Sequence, residues 1–230
     1  MRRFSLIAAA VLYAALSMAS PAAAAPSGSV NLRDLYPGTD GSTYLEGNNW
    51  ISGEPQRSVL HFDMRRRGFF DQHNWGPEDV QGDCNSDRFR WHGGTLRYLW
   101  TDNECDGQDT RTRYRPAVRY MPEVWDGVEQ WQHVGVSDVL HYDDGDVVRR
   151  GTTSYTSSVV GWVDLQPGRP VVWVRVELST VWNGEPIEHT THWVEDLYLD
   201  PEFGLARHAG GNSNGQWNWD VWFTHWAPMP

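Results

Sequence analysis

The sequence contains no lysine, so all 19 basic residues are arginine. Most of the arginines are scattered, which indicates compositional bias rather than a binding site. The run Arg65-Arg66-Arg67 is the exception and could contact an anionic polymer, although a short charged run is usually a solvated turn. Acidic residues number 30. This excess argues against nucleic acid as a partner, because phosphate binding needs a basic face.

Beyond its N-terminus the chain has no apolar run near the roughly 20 residues that a membrane-spanning helix requires. The N-terminus itself has Arg2 and Arg3, an alanine-rich apolar segment and then Ala23-Ala24-Ala25. That order is typical of a secretory signal peptide. We therefore expect residues 1–25 to be a leader and residues 26–230 to form a single secreted, extracellular domain that is not embedded in a membrane. Loss of the leader changes the formal charge from −11 to −13.

Cysteine is also scarce, with only Cys84 and Cys105 in the chain. In a secreted protein two cysteines predict a disulfide. Closing a loop of about 22 residues would stabilise the fold by roughly 3 kcal/mol. A catalytic or metal-binding pair of thiols is disfavoured, because no second pair of ligands is spaced to join them.

Several catalytic and metal motifs are missing from the sequence. It has no His-Glu-x-x-His, no Gly-x-Ser-x-Gly and no glycine-rich phosphate loop before a helix. His189 and His192 are three residues apart, which on a strand places them on opposite faces. We therefore predict no cofactor. The one alternative is calcium near Asp102, Glu104 and Asp106, where oxygen ligands alternate, but the twelfth position that calcium loops fill with glutamate is an arginine.

No long segment repeats apolar residues with the period of 3.6 that is typical of a helix. The prevailing pattern is alternation of apolar and polar residues from residue 57 onward. This period of two, rich in β-branched and aromatic residues, predicts an all-β protein built as an antiparallel sandwich or a strongly curved sheet. Residues 26–56 and 65–88 are rich in Gly, Pro, Asn and Asp and are predicted to be loops or covering segments. Glu123–Trp131 could form one short helix, although Gly127 disfavours it.

Two turns set the predicted strand pairing. Asp143–Asp146 should be a tight hairpin with Tyr142 opposite Val147, and Asn183-Gly184 is the strongest short hairpin pattern in the chain. If Asn183 and Gly184 alone form the second turn, Glu177 lies opposite Thr190, with Glu188 as its diagonal neighbour.

The outward face of that second hairpin supplies the candidate catalytic residues. Glu177 and Glu188 form a carboxylate pair of the kind that hydrolyses glycosidic bonds. His192 and Arg175, predicted to lie opposite each other, would shift carboxyl pKa values or hold an acidic group, and Trp173 would stack on a sugar ring. The alternative is that these residues form ordinary cross-strand pairs worth about 0.2–1 kcal/mol each.

Tryptophan is abundant, with 14 residues in the chain, and four of them crowd near the C-terminus. Alternation divides this region into two aromatic faces, of which one can belong to the core. The other mixes indole rings with amide and carboxylate groups, as sugar-binding surfaces do. Its predicted ligand-binding residues are Asn218, Asp220, Trp222 and Trp226.

These features predict a secreted protein that engages a polysaccharide or other glycan, and they leave open whether it cleaves that ligand. An alternative is an extracellular carrier in which a curved sheet encloses an apolar ligand in a tryptophan-lined cavity. A non-catalytic surface or interaction protein is the third possibility. A carrier should have a closed apolar cavity with few carboxylates, whereas a glycan site should bring tryptophan and acidic side chains together.

Overall fold

The protein is all-β, as the alternation predicts. A computed structural model describes residues 28–37, 45–51, 54–75, 85–103, 109–212 and 217–223, with a single short α-helix in these ranges, α1 (Leu32–Leu35). The strands are β1 (Val30–Asn31), β2 (Leu45–Ile51), β3 (Glu54–Met64), β4 (Phe69–Trp75), β5 (Asn85–His92), β6 (Thr95–Asn103), β7 (Thr110–Pro122), β8 (Val124–Trp125), β9 (Trp131–Asp143), β10 (Asp146–Gln166), β11 (Arg169–Trp182), β12 (Thr191–Asp200), β13 (Gly204–Asn212) and β14 (Trp217–Phe223).

Twelve of these strands form a closed antiparallel barrel. From β2 to β7 and from β9 to β14 each strand pairs with the next in sequence, β7 pairs with β9, and β14 returns to pair with β2. The remaining two, β1 and β8, form a separate two-stranded ribbon. Of the two predicted architectures, the strongly curved sheet is therefore confirmed and the sandwich is not.

Alternation along β11 shows why the sheet closes around a core. Val172, Val174 and Val176 are at most 1% exposed, whereas the residues between them are half-buried or exposed on the outer surface. A β-branched side chain fits a pleated sheet well. Each such burial contributes about 1.5–3 kcal/mol of hydrophobic free energy.

The N-terminal segment closes one end of the barrel. Asn31 caps α1 by accepting a hydrogen bond from the Arg33 N–H. Beyond the helix, Tyr36 is fully buried, with its ring 5.5–6.1 Å from those of Phe62, Phe70 and Phe89 (centroid to centroid). We call this the closed end, and the opposite end, where β12 begins, the mouth.

The first predicted hairpin is confirmed. Tyr142 pairs with Val147, and the turn residues Asp144 and Gly145 have φ angles of 47° and 85°. Positive φ at both central residues is what a type I′ turn requires.

The predicted pairing of the second hairpin is wrong by four residues. Glu177 pairs with Val194 instead of Thr190. Only Gly184 has a positive φ, 82°, so this turn is not the primed type that folds a strand straight back. A 3-10 turn at Ile187–His189 follows before β12 begins. Because side chains alternate with period two, a shift of the β11–β12 pairing by an even number of residues keeps the same residues facing outward.

Two other predictions were wrong. The segments 26–56 and 65–88, predicted as loops or covering segments, contain β2, β4 and parts of β3 and β5, although residues 32–36 do cover the closed end. The segment Glu123–Trp131 is not a helix: β8 is followed by a turn in which the Asp126 carboxylate accepts hydrogen bonds from the N–H groups of Val128 and Glu129. Gly127, with φ of 82°, fits such a turn and not a helix.

Candidate functional site

The predicted outer residues of β11 lie on the barrel surface. Trp173 is half-buried, and its indole N–H donates a hydrogen bond to Asp196 Oδ1 at 2.7 Å. Arg175 Nε lies 3.0 Å from Glu177 Oε1 and 3.9 Å from Asp196 Oδ1. These contacts join the predicted tryptophan, arginine and glutamate into one polar group.

The predicted carboxylate pair does not form. Glu188 lies exposed in the 3-10 turn Ile187–His189, so it is not a diagonal neighbour of Glu177 on a paired strand. His192 pairs with Ser179 instead of Arg175, and its Nδ1 lies 2.7 Å from Ser179 Oγ. The longer turn after Trp182 causes both errors. Catalysis by Glu177, Glu188 or His192 individually stays a prediction.

The C-terminal strand joins the same outer surface. Trp222 pairs with Arg207, which pairs with Tyr198, which pairs in turn with Trp173. Asp220 occupies the next row, and Arg207 donates to both of its carboxylate oxygens at 2.8 and 2.9 Å. Asn218 pairs with Gly211, one row further on. Two groups of residues predicted separately therefore occupy neighbouring register positions.

We call Trp173, Arg175, Glu177, Tyr198, Arg207 and Asp220 the outer strip, and Trp173 and Tyr198 form its aromatic centre. Their rings are 8° from parallel, with centroids 6.1 Å apart. The Arg175 guanidinium lies 5.8 Å from the Trp173 ring, and that of Arg207 lies 5.1 Å from Tyr198. The strip thus offers two parallel rings bordered by charged groups that are paired with one another.

Some predicted residues lie outside the described ranges. They are the leader 1–25, the cysteines Cys84 and Cys105, the possible calcium ligands Glu104 and Asp106, and Trp226.

Asp102, the remaining calcium candidate, has protein partners. Arg111 donates to both of its carboxylate oxygens, one at 2.8 Å, and the Trp100 indole N–H donates at 3.1 Å. The guanidinium supplies the countercharge that a cation would otherwise provide.

Another group with metal-ligand chemistry is Asp63, Asp71 and His73, whose ligand atoms lie within 4.8 Å of one another. The Asp71 carboxylate is already held by Arg65 and Arg88, at 2.5 and 2.6 Å. Two guanidinium groups satisfy this carboxylate and repel a cation, so the group does not indicate a metal centre.

The barrel interior contains two carboxylates that sequence reasoning missed. Asp87 of β5 pairs with Gln72 and Thr101, positions that continue the inward-facing rows of the barrel. Glu195 of β12 pairs with the buried Val176. Along β12, Leu197 is fully buried but Glu195 is partly exposed. Glu195 therefore lies between the mouth and the fully buried part of the core.

Tyrosine hydroxyls hold both carboxylates. Tyr98 donates to Asp87 Oδ1 at 2.8 Å, and Tyr120 donates to Glu195 Oε2. The ring centroid of Tyr98 lies 6.3 Å from that of Tyr120 and 5.0 Å from that of Tyr114. The two acids and three tyrosines form one cluster, which we call the lumen cluster (Asp87, Tyr98, Tyr114, Tyr120 and Glu195).

The surroundings give the two carboxyl groups different pKa values. Burial, followed by the charges of Asp87 and Asp196, raises the pKa of Glu195 to about 8. Burial also raises the pKa of Asp87 to about 6, against hydrogen bonds from Tyr98 and Thr101 that lower it. Near neutral pH Glu195 is therefore protonated while Asp87 is ionised, which is the arrangement of an acid and a base at one site.

Tyr98 and Tyr114 remain hydrogen-bond donors over the same pH range. Burial, assisted by the charge of Asp87, raises the pKa of Tyr98 well above its usual value and also raises that of Tyr114. Their hydroxyl groups can therefore bind acceptors at any physiological pH.

A sequence signal for Glu195 did exist. The strand alternation places it on the core face of β12, where an acidic residue is unusual unless it is paired or functional. No comparable signal marked Asp87, because its segment was predicted to be a loop.

The hollow formed by the β10–β11 and β12–β13 turns is not near this chemistry. It has a volume of about 460 Å³, is wide open to solvent, and is lined by Gln166–Pro170 and Asp200–Glu202 at the closed end. Arg169 lies across it, with Nε 3.1 Å from Asp200 Oδ2. The hollow lacks the perturbed carboxylates of the lumen cluster, which is the stronger candidate.

No family model matches the chain, and no curated protein matches its sequence significantly. Among solved structures, the chain is similar to a putative lipoprotein from Parabacteroides distasonis ATCC 8503, with 13% identity and a TM-score of 0.43. That match covers 80% of this chain and 93% of the other. The similarity is too low to carry an argument about activity. Among the described residues, no helix has the length and apolarity needed to cross a membrane.

Proposed function

We propose that the mouth of the barrel binds a saccharide and that Asp87 and Glu195 act on it as a general base and a general acid. The observation that carries this proposal is the lumen cluster, in which two carboxylates with raised pKa values are held by tyrosine hydroxyls. Paired acids in different protonation states at the accessible end of an interior are typical of acid–base sites.

The chemistry of the mouth favours a hydroxylated ligand over an apolar one. An apolar ligand would remove water from the charged Asp87 without returning hydrogen bonds, which is costly. A saccharide returns hydroxyl groups to Asp87 and Glu195, and its C–H faces can pack on the ring of the partly exposed Trp193. The carrier of an apolar ligand is therefore the weaker alternative.

The roles follow from the protonation states. In hydrolysis of a glycosidic bond, Glu195 would donate its proton to the glycosidic oxygen of the leaving group. Asp87 would take a proton from the attacking water, or would itself attack the sugar carbon; water deprotonated by Glu195 would then hydrolyse the sugar–Asp87 ester. Tyr98 and Tyr120 would position the two carboxyl groups. A secretory leader at residues 1–25 would place this activity outside the cell.

The test is a titration of intrinsic tryptophan fluorescence with soluble β-glucan, xylan, galactomannan and α-glucan, combined with an assay for newly released reducing ends. We expect saturable binding to at least one polymer. Glu195→Gln and Asp87→Asn should each reduce the release of reducing ends by about 100-fold or more. Glu177→Gln and Glu188→Gln are the matched controls and should stay within about twofold, because neither residue lies in the lumen.

Three other results would contradict parts of the proposal. Loss of activity in Glu177→Gln with full activity in Glu195→Gln would move the site to the outer strip. Binding without release of reducing ends in the wild type would refute the acid–base roles. Saturable binding of a fatty acid and of none of the polymers would refute the saccharide proposal in favour of the carrier.

The outer strip is a second candidate surface for the same class of ligand. The parallel rings of Trp173 and Tyr198 favour it, since adjacent flat rings can stack on successive sugars. The residues proposed to bind there are Trp173, Arg175, Asn218, Asp220 and Trp222, and binding by Trp226, outside the described ranges, stays a prediction. Trp173→Ala should weaken polysaccharide binding without changing the pH dependence of turnover; unchanged affinity in that variant would exclude the strip.

A further inference from the structure

Three arginines lie side by side on the outer surface of the barrel. Arg90 of β5 pairs with Arg97 of β6, and Arg97 pairs with Arg119 of β7. Phe69 of β4 extends the row, because it pairs with Arg90. We call Arg90, Arg97 and Arg119 the arginine row.

The row has no carboxylate partner in the part of the chain that the structure describes. Within the described ranges, no ion pair joins any of its three members to a carboxylate, although neighbouring arginines have such partners. Arg88 pairs with Asp71 and Arg111 with Asp102. Arg90 instead packs over the Phe69 ring at 4.6 Å, and its buried Nε has no hydrogen-bond partner.

Such a row works against stability, because like charges directly opposite each other on paired strands are destabilising. The positive field also reaches a neighbouring side chain: burial, followed by the charges of Arg119 and Arg97, lowers the pKa of His133. An arrangement that places like charges opposite each other at a cost in stability indicates a missing anionic partner.

The adjacent turn extends the basic surface. Arg66 and Arg67 are exposed in the turn between β3 and β4. That turn packs on β5, since a Cβ placed on Gly68 would lie 3.1 Å from the Trp91 carbonyl oxygen. The arginine run that the sequence singled out therefore adjoins the arginine row.

We propose that the arginine row binds the carboxylate or sulfate groups of an acidic polysaccharide. Guanidinium groups hold such anions through paired N–H donors. Three neighbouring strands span about 10 Å, as the interstrand spacing of about 4.8 Å dictates, which suits two successive sugars. The net charge of −11 disfavours polymers of higher charge density such as nucleic acid.

This site is separate from the lumen cluster and does not depend on the function proposed for it. Binding at the row should persist in Glu195→Gln, and turnover in the lumen should persist in Arg97→Gln. Failure of one proposal therefore leaves the other intact.

The test measures binding of the purified full chain to immobilised polygalacturonate and chondroitin sulfate, with neutral dextran as the blank. Single-stranded DNA and anionic phospholipid vesicles are parallel arms. We expect the wild type to bind an acidic polysaccharide, with Arg97→Gln at least tenfold weaker and Arg97→Gln/Arg119→Gln showing no binding. Arg150→Gln removes one exposed arginine from β10 and is the charge-matched control, expected to stay within twofold.

Thermal unfolding separates a binding role from a structural one. Arg97→Gln should unfold at the same temperature as the wild type or higher, because it relieves repulsion within the row. The proposal is overturned if the wild type binds neither acidic polymer, if it binds DNA or vesicles more tightly, or if Arg150→Gln weakens binding as much as Arg97→Gln. A lower unfolding temperature in Arg97→Gln would overturn it too, since the row would then be structural.

Discussion

Replacement of Glu195 by glutamine should remove a pH-dependent weakness of the fold. The pKa of Glu195 is raised from 4.5 to about 8 in the folded protein. The folded state therefore holds a proton that the unfolded state has already lost between these values. The contribution of Glu195 to stability is therefore greatest below pH 4.5 and falls as the pH rises toward 8. One pH unit between folded and unfolded pKa values is worth about 1.4 kcal/mol, so the full interval corresponds to about 5 kcal/mol.

Glutamine has nearly the same shape and still accepts a hydrogen bond from Tyr120, but it does not titrate. Glu195→Gln should therefore match the wild type near pH 4.5 and exceed its unfolding free energy by several kcal/mol at pH 8.5. The assay is urea unfolding followed by tryptophan fluorescence at pH 4.5, 6.5 and 8.5. Glu177→Gln is the control, because its side chain is 52% exposed, and it should follow the wild-type profile. Parallel profiles for the wild type and Glu195→Gln would refute the assignment of Glu195 as a protonated interior acid.

Three further predictions concern the framework of the barrel. Leu197→Ala should lower the unfolding free energy by about 2–5 kcal/mol in urea titrations, because the side chain is fully buried; a loss below 1 kcal/mol would contradict the packing of β12. Gly145→Ala should cost about 1 kcal/mol through its φ of 85°, whereas Thr152→Ala on the exposed face of β10 should stay within about 0.5 kcal/mol. Tyr36→Ala should cost about 3 kcal/mol or more by emptying the closed end, and wild-type stability in that variant would show that the N-terminal segment does not close the barrel.

The sequence predicted the strands whose two faces differ in polarity. In β11 an apolar residue recurs at every second position, so both the strand and its outward face follow from the pattern. The Asp143–Asp146 turn was predictable because Asp and Gly tolerate the positive φ angles of a type I′ turn. The Asn183-Gly184 turn was not, because the dipeptide fixes a bend but not the residues that follow it. Pro186 begins a second bend, and the pairing moves by four residues.

One physical cause explains why neither several of the strands nor the lumen cluster could be predicted from the sequence. Alternation is visible in a sequence only when one face of a strand is apolar and the other polar. Near the mouth the inward rows hold polar groups such as Gln72 and Asp87, so β4 and the start of β5 resemble loops in composition. In an ordinary apolar core, burial of these polar residues would cost free energy that no other interaction offsets. These polar residues face inward on a closed sheet, and burial raises the pKa of both acids. The failure of the hydropathy pattern is therefore itself an indication of where the proposed site lies.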